Sequence, residues 1–208
     1  MTYQQPGGGV NLGKVTLSKA EPSVSLTKPG DRQGVMRVNL NWSQGVKRGL
    51  FRRSNAVDLD LGCLWELTDG RKGVIQALGN SFGQLQQPPF ILLDGDDRTG
   101  QAAGGENMHI NLDQPGIFRR VLIFAYIYEG VPNWASADGV VTLYPTAGPQ
   151  VEVRLDSPVN DARSCAVALL ENIGGGLQVR REVQYINGSQ SAIDKAYNWG
   201  LNWTPGRK

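Results

Sequence analysis

Between Val57 and Leu67 the chain alternates: Val57, Leu59, Leu61, Cys63, Trp65 and Leu67 fall on one face, and Asp58, Asp60, Gly62 and Glu66 on the other. A repeat of two is the signature of an extended strand, whose successive side chains point to opposite sides. Leu64 alone departs from it. The same rhythm sets Met36, Val38, Leu40 and Trp42 against Arg37, Asn39 and Asn41, and returns at Met108, Ile110 and Leu112 and at Val151, Val153 and Leu155. The run 120–130 is apolar on both faces and predicts a central strand covered on each side. Shorter strands are expected at 15–18, 24–27, 74–78, 90–93, 140–144, 165–170 and 177–186.

These segments are separated by turn chemistry, as in KPGD, TDGR, QPG, ADG, ENIGGG and NGS, where Gly, Pro, Asn and Asp supply the dihedral angles of a tight reversal. Gly makes up 27 of the 208 residues, about 13% against a usual value near 7%, which fits many turns. A helix is predicted only from Ser189 or Ser191 to Trp199, with a hydroxyl cap, Ile193, Ala196 and Tyr197 at helical spacing, and Gly200 as a stop. The expectation is an all-β chain: a β-sandwich of around a dozen short strands with one short helix near the C-terminus. Residues 1–9, with little to bury, are expected to be a flexible N-terminal segment, and residues 10–208 one domain.

The longest apolar run, Val121 to Tyr128, is eight residues, and a membrane-spanning helix needs about 20. The N-terminal MTYQQPGGGV has neither a basic region nor an apolar stretch, so a cytoplasmic location is expected. Cys63 and Cys165 lie in apolar strands and are expected as buried free thiols. A net charge of +2 favours no class of partner.

The densest polar chemistry is Leu93-Asp94-Gly95-Asp96-Asp97-Arg98-Thr99-Gly100, three carboxylates within four residues directly after an apolar strand. Ca²⁺ takes six to eight oxygen ligands, which carboxylates, a Thr hydroxyl and turn carbonyls can supply, and Glu106 stands just downstream. The segment is not an EF-hand, because Arg98, Thr99 and Gly105 fall where that loop needs its fifth ligand, its glycine and its twelfth ligand. An acidic turn in solvent, partly neutralised by Arg98, explains the same residues. Asp58 and Asp60 share one strand face and either hold an ion together or line a solvent face.

Other chemistries find less. Paired carboxylates can carry general acid–base work, or a divalent-metal-dependent hydrolase with a metal-bound water as nucleophile. The single histidine, His109, reads as a surface strand residue, and no nucleophile motif accompanies it. Zinc would need Cys63, Cys165 and His109 to converge without any close-spaced ligand pair. The basic stretch Lys47-Arg48-Gly49-Leu50-Phe51-Arg52-Arg53 beside Trp42 leaves a nucleic-acid module as a further alternative, although paired arginines recur along the whole chain.

In order along the chain, Val24-Ser25-Leu26-Thr27-Lys28, Val38-Asn39-Leu40-Asn41-Trp42, Val57-Asp58-Leu59-Asp60-Leu61, Gly95-Asp96-Asp97-Arg98-Thr99-Gly100 and Glu106 through Leu112 resemble the successive motifs of the TerD-type tellurium-resistance and stress proteins. Gln76-Ala77-Leu78-Gly79-Asn80 and Asn198-Trp199-Gly200-Leu201-Asn202-Trp203 resemble the TerA-like branch. The resemblance implies a bacterial Ca²⁺-binding β-sandwich, non-enzymatic, serving stress response and tellurite or other toxic-ion resistance. Implied partners are other proteins of a stress-resistance assembly, membrane-associated ones included, with nucleic acid disfavoured. The positions matching ion ligands are Asp58 or Asp60, Asp96, Asp97, Thr99 and Glu106, and the chemistry of the loop adds Asp94. Two departures stand out: Asp97 replaces the family's Asn, and Gly104-Gly105 replaces a run of Asp, which bears on whether one ion or two is held.

Overall fold

The computed structural model describes residues 13–28, 30, 32–43, 57–95 and 104–204. The N-terminal segment 1–9, the basic stretch 47–53 and the loop residues Asp96, Asp97 and Thr99 lie outside them.

The strands run β1 (Lys14–Thr16), β2 (Ser23–Ser25), β3 (Val35–Asn41), β4 (Asp58–Leu67), β5 (Lys72–Ile75), β6 (Gly83–Gln84), β7 (Ile91–Leu93), β8 (Glu106–Asn111), β9 (Phe118–Glu129), β10 (Gly139–Tyr144), β11 (Gln150–Leu155), β12 (Ser164–Ile173) and β13 (Gly176–Ile186), followed by helix α1 (Gln190–Ala196). They form two sheets, one of seven strands in the order β1-β11-β10-β3-β8-β7-β6 and one of six in the order β2-β13-β12-β9-β4-β5. The pairing is antiparallel except for β1 with β11. This is the sandwich that the alternation predicts. Short β6 and three single 3₁₀ turns, at Leu78–Asn80, Pro115–Ile117 and Trp134–Ser136, carry no alternation long enough to announce them.

The turns form where their residues allow. Between β12 and β13 only Gly174 and Gly175 intervene, at φ of 62° and 92°. Positive φ at both central residues gives the reversal whose twist matches that of the flanking strands. Helix α1 ends before Gly200, as expected, and the Asp194 carboxylate reaches past its C-terminus to accept from the N–H groups of Gly200 (3.0 Å) and Leu201 (2.9 Å).

Two apolar layers result. Leu59, Leu61, Cys63, Ile123, Ala125, Met36, Val38, Leu40, Met108 and Ile110 meet between the sheets. A second cluster, Leu64, Leu122, Phe124, Tyr126, Ala166, Ile193 and Trp199, lies on the opposite face of the six-stranded sheet, under α1 and the C-terminal segment. That second layer accounts for Leu64 breaking the alternation and for β9 being apolar on both sides. Both thiols are buried and free, as expected, and burial holds each well above its ordinary range. No helix among the described residues is long and apolar enough to cross a membrane.

Candidate metal centre

β4 is flanked by β9 along its whole length, but β5 pairs with it only from Cys63 to Glu66. The earlier part of β4, carrying Asp58, Asp60 and Leu61, therefore runs beyond β5. There Glu106, the first residue of β8 in the other sheet, accepts the Leu61 N–H on Oε2 at 2.7 Å. A carboxylate from the seven-stranded sheet is thus stitched to the backbone of the six-stranded one.

Backbone geometry delivers Glu106 to that place. Gly105 has φ of 68°, and a Cβ there would overlap the Leu40 carbonyl oxygen. Only glycine lets the chain pass so close to β3 before Glu106 pairs with Leu40. Asn39 reinforces the turn by donating from Nδ2 to the carbonyl oxygens of Gly104 and Glu106.

Asp58 and Asp60, two residues apart, share the face of β4 that carries Gly62 and Leu64. The reading of that face as a solvent face is overturned: Asp58 is 3% exposed, Asp60 0% and Glu106 2%. The sequence could not show this, because the cover over this face is assembled from distant segments. Asp60 is cross-strand to Tyr126 on β9. The Tyr126 hydroxyl is held far above its ordinary range, first by burial, then by the charge of Asp60 and a contact with it, and then by the charges of Glu106 and Asp58. The three carboxylates are therefore close enough to act on one buried hydroxyl. The Tyr126–Asp60 contact falls short of regular hydrogen-bond geometry.

Asp94 takes another role. It sits at the end of β7, its side chain 49% exposed, and its Oδ2 lies 2.9 Å from His109 Nε2. His109 projects from the polar face of β8, as its alternation predicts, and is engaged there with Asp94. Zinc through Cys63, Cys165 and His109 does not arise, since the thiols lie in the inner core; among the described residues no group of three or more His, Cys, Asp or Glu could hold a metal ion, so Asp58, Asp60 and Glu106 do not form such a group without further ligands.

Over 204 residues, 96% of this chain, the sequence is 46% identical to the tellurium resistance protein TerA of Alcaligenes sp.. The chain is similar to the tellurium-resistance proteins. It spans 60% of the length of that curated relative. The fold agrees with the crystal structure of a homologue of telluride resistance protein (TerD) from Streptomyces coelicolor A3(2), with a TM-score of 0.54 and 22% identity over 76% of this chain and 94% of the other. No family model matches the chain.

In this chain, then, Asp58, Asp60 and Glu106 each act on the Tyr126 hydroxyl, Asp94 is engaged with His109, and Asp96, Asp97 and Thr99 lie outside the described residues. The sequence reading missed Tyr126 and the Leu61 amide. A tyrosine among Phe124, Ala125 and Ile127 looks like ordinary strand filling, and only the register of β9 on β4 sets its hydroxyl beside Asp60. The donors gathered here are all oxygen, the chemistry preferred by a hard cation.

Proposed function

We propose that this chain is a Ca²⁺-binding, non-enzymatic β-sandwich that serves bacterial stress response and resistance to tellurite or other toxic ions. In this reading it works as an ion-ordered interaction module for other proteins of a resistance assembly. The observation that carries the ion is the gathering of Asp58, Asp60 and Glu106, from two sheets, out of water around Tyr126. Carboxylate oxygens are the donors that a hard divalent cation takes. Asp58, Asp60 and Glu106 would hold the ion together with Asp96, Asp97 and Thr99. Asp94, engaged with His109, is the weakest of the proposed ligands. Bound Ca²⁺ would supply positive charge and a cross-link between the sheets, and the chain's part is to present oxygen donors on a strand edge that β8 already bridges.

Resistance as the biological role is supported by the likeness to TerA. A non-catalytic role is supported by the site's composition: carboxylates and a tyrosine with a strongly raised pKa, with His109 engaged elsewhere.

Calorimetric titration with Ca²⁺ and with Mg²⁺, on the wild type and on Asp58→Asn with Asp60→Asn, tests the reading. Saturable Ca²⁺ binding that exceeds Mg²⁺ binding and disappears in the double variant is expected. No heat with either ion, from a folded wild type, would remove the ion from the proposal. Metal-dependent turnover of phosphate or glycoside substrates that vanishes in the double variant would instead favour a hydrolase.

A further inference from the structure

On the far side of the six-stranded sheet from the seven-stranded one, a cleft of about 380 Å³ opens between the C-terminal segment and the turn that follows β5. Gln76, Leu78, Ser189, Gln190, Ser191 and Trp203 are among the residues that line it, and no lining residue among the described ones is charged. Its size falls at the small end of the range for ligand sites, about 300–1,000 Å³.

The cleft has unusual polar walls. Gln76 and Gln190 are more than nine-tenths buried, at 8% and 6% exposed. Gln76 Oε1, Gln190 Nε2 and Trp203 Nε1 are each out of water, and none has a hydrogen-bond partner in the structure. Buried polar atoms are nearly always satisfied, so three on residues that line one small cleft call for a group that can pair with them once the side chains turn toward it. The walls are also held in place. The Gln76 N–H donates to the Ser81 carbonyl at 3.0 Å, and the Ser81 hydroxyl to the Val74 carbonyl at 2.8 Å. Gln190 opens helix α1, and the Trp203 ring packs against the outer apolar cluster.

The complement of these walls is specific. A charged ligand would meet no counter-charge among the described lining residues, and burial penalises that. Two N–H donors and one carbonyl acceptor need a ligand with at least two acceptors and one donor close together. A hydroxyl accepts and donates at a single atom, and neighbouring hydroxyls meet that demand directly. The Ser189 and Ser191 hydroxyls, 3.0 Å apart, add two groups that rotate to donate or accept. Leu78 and Trp203 add apolar atoms to the lining.

We propose that this cleft binds a neutral sugar or polyol of monosaccharide size, recognised by Gln76, Gln190 and the Trp203 indole N–H. The site is separate from the carboxylate cluster and does not depend on it.

The test is a titration of the isotope-labelled chain, followed by nuclear magnetic resonance, with glucose, galactose, mannose, xylose and glycerol. A sugar phosphate and glycinamide serve as probes of other chemistry. The Trp203 indole N–H signal is assigned by its loss in Trp203→Phe, which keeps an aromatic ring in place. At least one neutral sugar or polyol should move that signal saturably, with neither comparison probe doing so. Gln190→Leu should weaken the response by about tenfold or more, the loss of one well-placed hydrogen bond. A signal still under all five neutral probes overturns the proposal. So does an equal response to glycinamide, which would make the cleft a peptide-backbone site, or to the sugar phosphate. An unchanged affinity in a folded Gln190→Leu also overturns it. Should that variant fail to fold, Gln76→Leu is held to the same criterion.

Discussion

The two ends of β4 bury carboxylates in opposite ways. At the C-terminal end Glu66 is held by two arginines from the neighbouring strand: Arg119 Nη1 at 2.8 Å from Oε1 and Arg120 Nε at 2.6 Å from Oε2. Arg120 also lies over the Trp199 ring, 3.8 Å from its centroid, and donates to the carbonyl oxygens of Tyr197 and Asn198. Charge, stacking and backbone are joined in one locked unit that pins the C-terminal segment to the sheet. At the N-terminal end Asp58 and Asp60 are instead gathered with Glu106 around a tyrosine hydroxyl. One strand thus carries a carboxylate locked by two arginines and, at its other end, the carboxylates to which the proposed ion is assigned. Stability and ion response should therefore separate along β4.

The largest effect is expected at the locked end. Glu66→Leu leaves Arg120 without its buried counter-charge and should cost about 3 kcal/mol, the low end for breaking a buried pair because Arg119 is largely exposed. Urea denaturation should show this loss equally with Ca²⁺ and with chelator, while Arg119→Ala should cost less than about 1 kcal/mol. A Glu66→Leu loss that depends on Ca²⁺ would break the comparison.

Asp60→Asn comes next and should have the opposite signature. Wild-type stability should rise by about 2.7 kcal/mol at Ca²⁺ a hundredfold above its dissociation constant. Asp60→Asn should lose that rise. Thermal melts of both proteins under both conditions check this.

Glu106 sharpens the division between charge and hydrogen bond. Glu106→Gln can still accept the Leu61 N–H and should keep most stability in chelator while losing the Ca²⁺ response. Glu106→Ala should also lose about 1–2 kcal/mol in chelator, because a buried N–H loses its acceptor. Equal stability of the two variants in chelator would mean that the bridge to Leu61 contributes nothing.

The smallest effect concerns pH. The folded Tyr126 hydroxyl titrates above its unfolded value near 10, so its contribution to stability is complete below about pH 10 and is lost as pH rises further. Cys63 and Cys165, whose burial also raises them, add an alkaline loss beginning near pH 9 that any Tyr126 variant shares. Tyr185, pushed up to about 12 chiefly by burial, adds to it as well. Alkaline denaturation curves should show a smaller loss above pH 10 for Tyr126→Phe than for the wild type. Bound Ca²⁺, by offsetting the nearby carboxylates, should lower the pH at which Tyr126 ionises, as followed by ultraviolet difference absorbance.

Much of the fold was legible because alternation is a local property. The strands at Val35–Asn41, Glu106–Asn111 and Gln150–Leu155 lie where the period of two puts them, and the helix lies within its expected bounds. The candidate site was legible in part. Asp58, Asp60 and Glu106 could be singled out as residues, but their burial could not, because it depends on elements far away in sequence. Glu66 read as one more polar residue of a strand face, and nothing local linked it to Arg119 and Arg120. Asp94 read as a loop carboxylate, yet β7 and β8 pair so that Leu92 lies opposite His109, which brings Asp94, two residues on, within reach of the imidazole.

By itself the amino-acid order determined which residues share a strand face, where the chain reverses and that two apolar layers were needed, since each follows from neighbours within a few positions. Tertiary structure alone decided which polar face goes into the dark, because that is set by register and by cover from remote segments. Asp58 and Asp60 look toward solvent by pattern and are enclosed by packing. Glu106 meets Leu61 across 45 residues of chain only because the two sheets close on each other there.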